Sequence, residues 1–394
     1  MSSSKIENVL VLQGGGSLGA FGCGVFKALA NKNIKLDIVA GTSIGGINAA
    51  VIAGSIDKDH PERALEEFWL ELGENSVNLI NPVLEWHYDK SRSHLFRAAE
   101  NLLPTTDEVN SLLSTTSSIL YGNDKFFVPR WRVDYMLKDP QYFNPSKWTY
   151  IYDHSHLVKT LEKYIDYNKL QPDGHPNARL IMTAVNILTA QPLTFDSSKQ
   201  KITPKHVLAT AAYPRYNFPW VELEEGVYAW GGALLSNTPF SEVIDASPVI
   251  DKNLFFVDNY PMNIEKLPDS LSDVYHRARD IMFSDKTQRQ IKMAKVVTRY
   301  LKYIEQLYQI IDKNIDPAKI DKKQLEKIRH TYTKVKRERG AEIKNIIHII
   351  RDEPFPYFNE DIDFSSETIR SSIKQGESKT NEILQSIDNK IFLH

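Results

Sequence analysis

Short apolar runs alternate with glycine turns and amphipathic stretches over the first fifty residues. "NVLVLQ" (8–13) is a leucine and β-branched run with the character of a buried strand, and it ends in three glycines. "SLGAFGCGVFKALANKN" then sets Leu18, Phe21, Val25 and Leu29 at helical steps. "KLDIVAG" repeats the strand, and "GGINAAVIAG" supplies a second helix of small residues. Strand, glycine turn and helix, twice in succession, predict an α/β fold. Its sheet is parallel, helices cover both faces, and functional groups sit at the C-terminal strand ends.

From 76 to 152 the pattern changes to prolines, polar loops and aromatics, among them Trp86, Phe126, Phe127, Trp131, Tyr142, Phe143 and Trp148. This insertion reads either as an acyl-binding wall or lid, or as an aromatic satellite core. Strand-like sequence resumes at 179–189, "PLTFDS", 226–235 and 253–261. Beyond 280 the chain reads as helical. Ile291, Val297, Leu301, Ile304, Leu307 and Ile311 form one stripe, and a second, charged helix is expected over about 319–350. The expected organisation is an α/β domain over 5–262, containing the 76–152 insertion, and a mostly helical C-terminal extension over 263–394.

Composition adds limits. The chain of 394 residues is 42% apolar and 25% charged, with a formal net charge of -2, which gives no overall bias toward nucleic acid or anionic surfaces. The charge is unevenly spread: residues 286–351 hold 18 Lys and Arg against 7 Asp and Glu. Basic helices with an apolar stripe could rest on anionic lipid; alternatively the charges are a solvated face and the stripe is core. A single cysteine, Cys23, excludes an internal disulfide. No signal-peptide pattern opens the chain and no run of 18 apolar residues occurs, so a cytoplasmic location is expected. Peripheral membrane contact and export as an effector stay open, as does the oligomeric state.

The candidate chemistry lies in the glycine turns. "GTSIGG" (41–46) frames Ser43 between a strand and a helix. A serine nucleophile needs such a tight, exposed turn, and Gly41 and Gly45 relieve its backbone crowding. The bland alternative makes Ser43 a helix N-cap. "GGGSLG" ends the neighbouring strand, so the free amides of Gly14, Gly15 and Gly16 could form an oxyanion hole beside Ser43. Gly14, Gly16 and Gly19 also match a dinucleotide fingerprint with Asp37 as the acid, but Asp37 begins its strand where that motif has the acid at the end. A hydrolase triad would need more strands before residue 43, and no histidine stands out. "HSH" at 154–156 lacks further ligands at a metal-site spacing. Neither metal nor organic cofactor is implied.

Together "LQGGGSLGAFGCGVFKAL", "GTSIGGINAAVIAG" and "ATAAYPRYNFPWVE…VYAWGGALLSNTPFSEVI" resemble the bacterial patatin-like phospholipases, in order and separation. "VYHRARDIMFSDKTQRQ" and "DIDFSSETIRSSI" resemble the C-terminal extension of one subgroup. The resemblance implies a lipid acyl ester hydrolase with a Ser-Asp dyad, with Ser43 as nucleophile and the Gly14–Gly16 amides as oxyanion hole. Counting back from "SNTP", the family's Asp-Gly-Gly or Asp-Gly-Ala falls on Gly231-Gly232-Ala233, so Gly231 stands where the aspartate belongs. Without a base, a serine hydroxyl loses on the order of 10²- to 10⁴-fold in rate. The chain then reads as an inactivated enzyme, a lipid-binding or scaffolding protein without turnover, or an enzyme whose base comes from elsewhere, for which Asp258 in "FFVDNYP" is the candidate.

Overall fold

The two apolar runs near the N-terminus become adjacent central strands of one mixed sheet. A computed structural model describes residues 6–74, 118–284, 286–314, 321–352 and 360–391. Most of the expected aromatic insertion, residues 76–117 with Trp86, lies outside the described residues.

β1 (Ile6–Leu12) leads through a glycine turn into α1 (Gly19–Asn31), and β2 (Ile38–Thr42) turns at Ser43 into α2 (Ile44–Gly54), followed by α3 (Pro61–Glu74). After the undescribed stretch come β3 (Val128–Pro129), α4 (Val133–Met136), β4 (Tyr152–Asp153) and α5 (His156–Leu161). The chain then returns to the sheet with β5 (Arg179–Asn186), β6 (Pro192–Asp196), α6 (Pro204–Ala211), β7 (Val221–Glu224), β8 (Val227–Gly231), α7 (Phe240–Ala246) and β9 (Asp251–Asp258). The last part holds α8 (Leu271–Ser284), α9 (Lys286–Asn314), α10 (Lys322–Arg339), β10 (Ile343–Ile350) and α11 (Ser366–Ile391).

The strand order is β10-β9-β1-β2-β5-β8-β7, parallel from β10 to β5, with β6 also paired to β5. Because these strands are buried on both faces, they read as continuous apolar runs. Leu10, Leu12, Val39 and Val257 face α1, α2, α3 and α11, while Val9, Val11, Leu254 and Phe256 face α7 and the start of α9. Helices therefore cover both faces, as the alternating pattern implied.

β5 organises the site end of the sheet. β6 occupies one edge, over Ile181–Val185. The other edge is divided: β2 pairs with Arg179–Thr183, and β8, running antiparallel, pairs with Ala184–Asn186. Thr42 lies opposite Thr183 and Gly231 opposite Ala184. The ends of β2 and β8 thus meet nearly head to head, about one strand residue (~3.3 Å) apart along β5.

One expectation is corrected. The second charged helix stops at Arg339, with Gly340 as its C-cap, and 343–350 is a strand. "IKNIIHII" is rich in isoleucine, and its parallel pairing with β9 sets Ile349 against Val257. The C-terminal part is otherwise mostly helical, yet it supplies an edge strand of the main sheet.

α11 packs across α1 through reciprocal glycines. A Cβ at Gly24 would lie 1.9 Å from the Ile373 carbonyl oxygen, and one at Gly376 would lie 2.1 Å from that of Phe21. The helix axes can approach this closely only while both positions lack side chains. Gly376→Val is therefore expected to destabilise the fold by about 1–3 kcal/mol through overpacking. Urea unfolding would measure this, with no comparable loss for a substitution at exposed Lys374.

Candidate active site

Ser43 sits between the last residue of β2 and the first of α2, with φ 57° and ψ -126°. A non-glycine residue in this region carries strain of order 1–3 kcal/mol, and the turn needs small neighbours to exist. A Cβ at Gly41 would lie 2.0 Å from the Gly45 carbonyl oxygen, and one at Gly45 would lie 2.3 Å from that of Leu12. The strained turn lifts Ser43 toward a cavity and aims the positive end of α2 at the same place.

Three threonines hold the turn. The Ser43 amide donates to Thr210 Oγ1 (3.0 Å), whose hydroxyl donates to the Thr183 carbonyl (2.7 Å). The Thr42 and Thr183 hydroxyls share a further hydrogen bond at 2.7 Å. Ser43 Oγ itself has no hydrogen-bond partner among the described residues. Gly231 abuts this network, and a Cβ added there would meet the Thr210 carbonyl oxygen at 2.7 Å. The structure thus brings the Ser43 and Gly231 positions together, with no side chain at Gly231 to use the proximity.

The glycine loop lies on the other side of Ser43, where a Cβ at Gly14 would be 3.0 Å from Ser43 Cβ. Of the three amides expected as oxyanion donors, that of Gly14 is already committed, donating to Asn237 Oδ1 at 3.1 Å. The amides of Gly15 and Gly16 have no acceptor among the described residues, and Gly16 lines the cavity with Ser43. Asn237 and Thr238, visible in the sequence only as family spacing in "SNTP", clamp this loop: Thr238 Oγ1 accepts from Gln13 Nε2 at 3.0 Å. Gly16 has φ +55°, and a Cβ there would fall 2.0 Å from the Asp361 carbonyl oxygen.

The cavity has a volume of about 460 Å³, within the ~300–1,000 Å³ range of ligand pockets. Phe126, Phe127, Phe218 and Phe364 form its apolar wall, and their rings meet mainly edge to face. Of the aromatic stretch, Phe126 and Phe127 line the cavity and also pack in the main core. Trp131 and Phe143 are exposed instead.

The polar side of the cavity draws largely on the C-terminal part, which also supplies Phe364 and which nothing in the residue pattern had linked to the site. Arg279 pairs with Glu360, Asp361 and Asp280. Burial opposes its charge, but these carboxylates outweigh that and hold the guanidinium firmly protonated. Burial, followed by the Asp361 carboxylate, pushes the Tyr216 phenol well up, so it remains a donor to Asp361 Oδ2. Ser17 Oγ donates to the Glu360 carbonyl (2.7 Å), tying the glycine turn to this wall.

The alternative site residues fall elsewhere. Asp258 is two strands from β2 across β1, and its Oδ2 accepts from His348 Nδ1 at 3.0 Å. Asp37 lies at the opposite end of β2 and accepts from the Asn8 amide, remote from the glycine loop. His154 donates to the Leu208 carbonyl and stacks on Phe218, whereas His156 reaches the Asp124 carbonyl. Among the described residues no three His, Cys, Asp or Glu side chains converge as a metal-ligand set.

With this geometry in view, the comparisons define the class. The family model described as "Patatin-like phospholipase" matches residues 10–244, and one described as "Patatin phospholipase" matches residues 281–390. The chain belongs to the patatin-like phospholipase family. It is 28% identical over 151 residues to lysophospholipase NTE1 of Coccidioides immitis (strain RS), an overlap of 26% of this chain and 10% of that protein. The chain thus matches only a tenth of that relative's length. Among solved structures it is similar to VipD from Legionella pneumophila, with TM-score 0.38 and 14% identity, covering 98% of this chain and 68% of that one. It is also similar to human GIVD cytosolic phospholipase A2 in complex with methyl gamma-linolenyl fluorophosphonate, with TM-score 0.34 and 12% identity, covering 98% and 58%. Likenesses this loose carry no residue roles across.

Two outcomes follow from the site's packing. Asn237→Ala strands the buried Gly14 amide and is expected to cost about 1–3 kcal/mol in urea unfolding. Burial also lowers the pKa of His154, against the pull of the Leu208 carbonyl and Asp153. Protonation therefore favours the unfolded chain, so stability should fall as pH drops below the unfolded histidine value of ~6.5. His154→Gln should flatten that slope in pH-resolved melts, leaving the part from His206, whose pKa burial also lowers.

Proposed function

We propose that the fold is built to hydrolyse acyl esters of lipids, with Ser43 as nucleophile, and that the sequence as it stands lacks the base. The observation that carries this reading is the Ser43 turn, strained between β2 and α2, open to an aromatic cavity and abutted by the end of β8. Ser43 Oγ attacks the ester carbonyl. The oxygen that gains charge is met by the Gly15 and Gly16 amides and the positive end of α2. The leaving alcohol departs with a proton, and water then releases the acyl group from Ser43. An aspartate at 231 would take the Ser43 proton and return it to the alcohol. Glycine offers no such acceptor, and Asp258 is engaged by His348.

A second reading, a lipid-binding protein without turnover, is favoured by the Ser43 hydroxyl, which has no hydrogen-bond partner among the described residues. Under either reading the 286–351 segment is an auxiliary contact for anionic lipid. In α9, Ile291 is buried in the core, but Met293, Val297, Ile304 and Leu307 are exposed, and Lys292, Lys295, Arg299 and Lys302 lie on an adjacent flank.

Gly231→Asp tests the primary reading. The new side chain requires the Thr210 carbonyl to yield, at a cost of about 1–3 kcal/mol. Hydrolysis of a p-nitrophenyl acyl ester is nevertheless expected to rise at least ~10²-fold, together with fluorophosphonate labelling of Ser43. Ser43→Ala in that background should abolish both. A folded Gly231→Asp protein with no gain in turnover or labelling would favour the binding reading.

A further inference from the structure

α8 has its polarity reversed for a surface helix. Its inner side carries His276, Arg279 and Asp280, all buried, and His276, Arg279 and Phe283 line the cavity that holds Ser43. Its outer side carries Leu271, Val274, Tyr275, Ala278, Ile281 and Met282, at the three- and four-residue steps that share one helix face. That face is in solvent: Leu271 is 71% exposed, Tyr275 59% and Ile281 55%. The loop leading into the helix continues the patch with Leu267, 89% exposed. An amphipathic helix ordinarily turns its apolar face inward. Here the inner positions are taken by the ion network of the cavity wall, and the apolar residues are left outside with nothing covering them among the described residues.

We propose that α8 is an interfacial helix whose outer face lies on a phospholipid surface and brings the mouth of the Ser43 cavity against it. Two observations select this occupant. First, the exposed face and the cavity wall are two sides of one helix, and Tyr275 belongs to both, so whatever covers the stripe also covers the cavity. Second, Arg215 stands at the edge of the stripe, with Nη1 3.7 Å from Met282 Sδ, and also lines the cavity. It forms no salt bridge to a carboxylate among the described residues, in contrast to Arg279 beside it. An apolar stripe with a cation at its rim matches the layering of a bilayer, acyl chains below and phosphate at the level of the guanidinium. This surface is distinct from the basic flank of α9: it binds through apolar contact, and salt should weaken it little.

The inference rests on the lipid-ester reading for its substrate, but its readout is lipid partition and needs no turnover. The full chain would be sedimented with phosphatidylcholine vesicles in about 1 M salt, where charges are screened beyond ~3 Å and the α9 contribution is removed. Partition is expected, and Leu271→Glu and Ile281→Glu should each reduce it more than about tenfold. As a second measurement, Val274→Cys carries an environment-sensitive NBD label; the native Cys23 is fully buried and stays unlabelled. The label should brighten and shift to the blue on adding vesicles.

Absence of partition by the unaltered chain, or unchanged partition by the folded glutamate variants, would overturn the proposal. Should those variants unfold, the label decides, and an unshifted emission rejects lipid contact. A blue shift without lipid, accompanied by a dimer that Leu271→Glu dissociates, would assign the face to a second copy of the chain instead. Partition without hydrolysis, even after Gly231→Asp, would leave this proposal standing and count only against the catalytic reading.

Discussion

One edge of β5 must serve two strands running in opposite directions. β2 takes the first five positions and β8 the next three, so neither strand can continue without colliding with the other. β2 escapes by turning sharply into α2, which puts Ser43 into a backbone conformation a free chain would avoid. β8 ends in Gly231 and passes into a short 3-10 turn. The head-to-head meeting places the strained serine and the end of β8 at neighbouring positions along β5. The threonine bonds among Thr42, Thr183 and Thr210 then hold the junction while leaving the Ser43 hydroxyl outside the network.

Around that junction the site is assembled from distant parts of the chain. The glycine loop is fixed by Asn237, 223 residues away, and walled by Asp361 and Glu360, which are held by Arg279 on α8 and Arg351 after β10. The buried network at this wall is expensive in desolvation and is tolerated because its carboxylates meet the guanidinium groups of Arg279 and Arg351 and the Tyr216 phenol. Its presence fixes the orientation of α8, so the inverted polarity of that helix follows from the wall it completes.

Several of these features could be read from the residues alone. Strands buried on both faces announce themselves as continuous apolar runs, and the glycines around Ser43 mark a turn too tight for side chains. Helices on both faces followed from the alternation. The expectation attached to Gly231 rested on the spacing to "SNTP" alone, since a glycine at a strand end has no chemistry of its own. What the sequence could not contain was the division of β5, because edge sharing is a property of three strands spread over residues 38–231. Asn237 as a clamp and the Glu360–Asp361 wall were hidden for the same reason. β10 was obscured by the charged helix before it, and the α9 stripe reads identically whether it meets core or solvent; only Ile291 in it proved fully buried.

The bond from Ser17 to the Glu360 carbonyl spans 343 residues, which makes the cavity a matter of timing as well as geometry. Closing so long a loop precedes any reward from the contacts it brings, and such contacts form late in folding. A nascent chain can already hold β1, β2 and the serine turn, while one wall of the binding space is still unsynthesised. Between these events Phe126 and Phe127 lack the cover of Phe364, and exposed apolar surface of this kind is prone to aggregation. The cavity therefore belongs to the finished molecule, complete only once α8 and the Glu360–Asp361 segment have packed against the glycine turn.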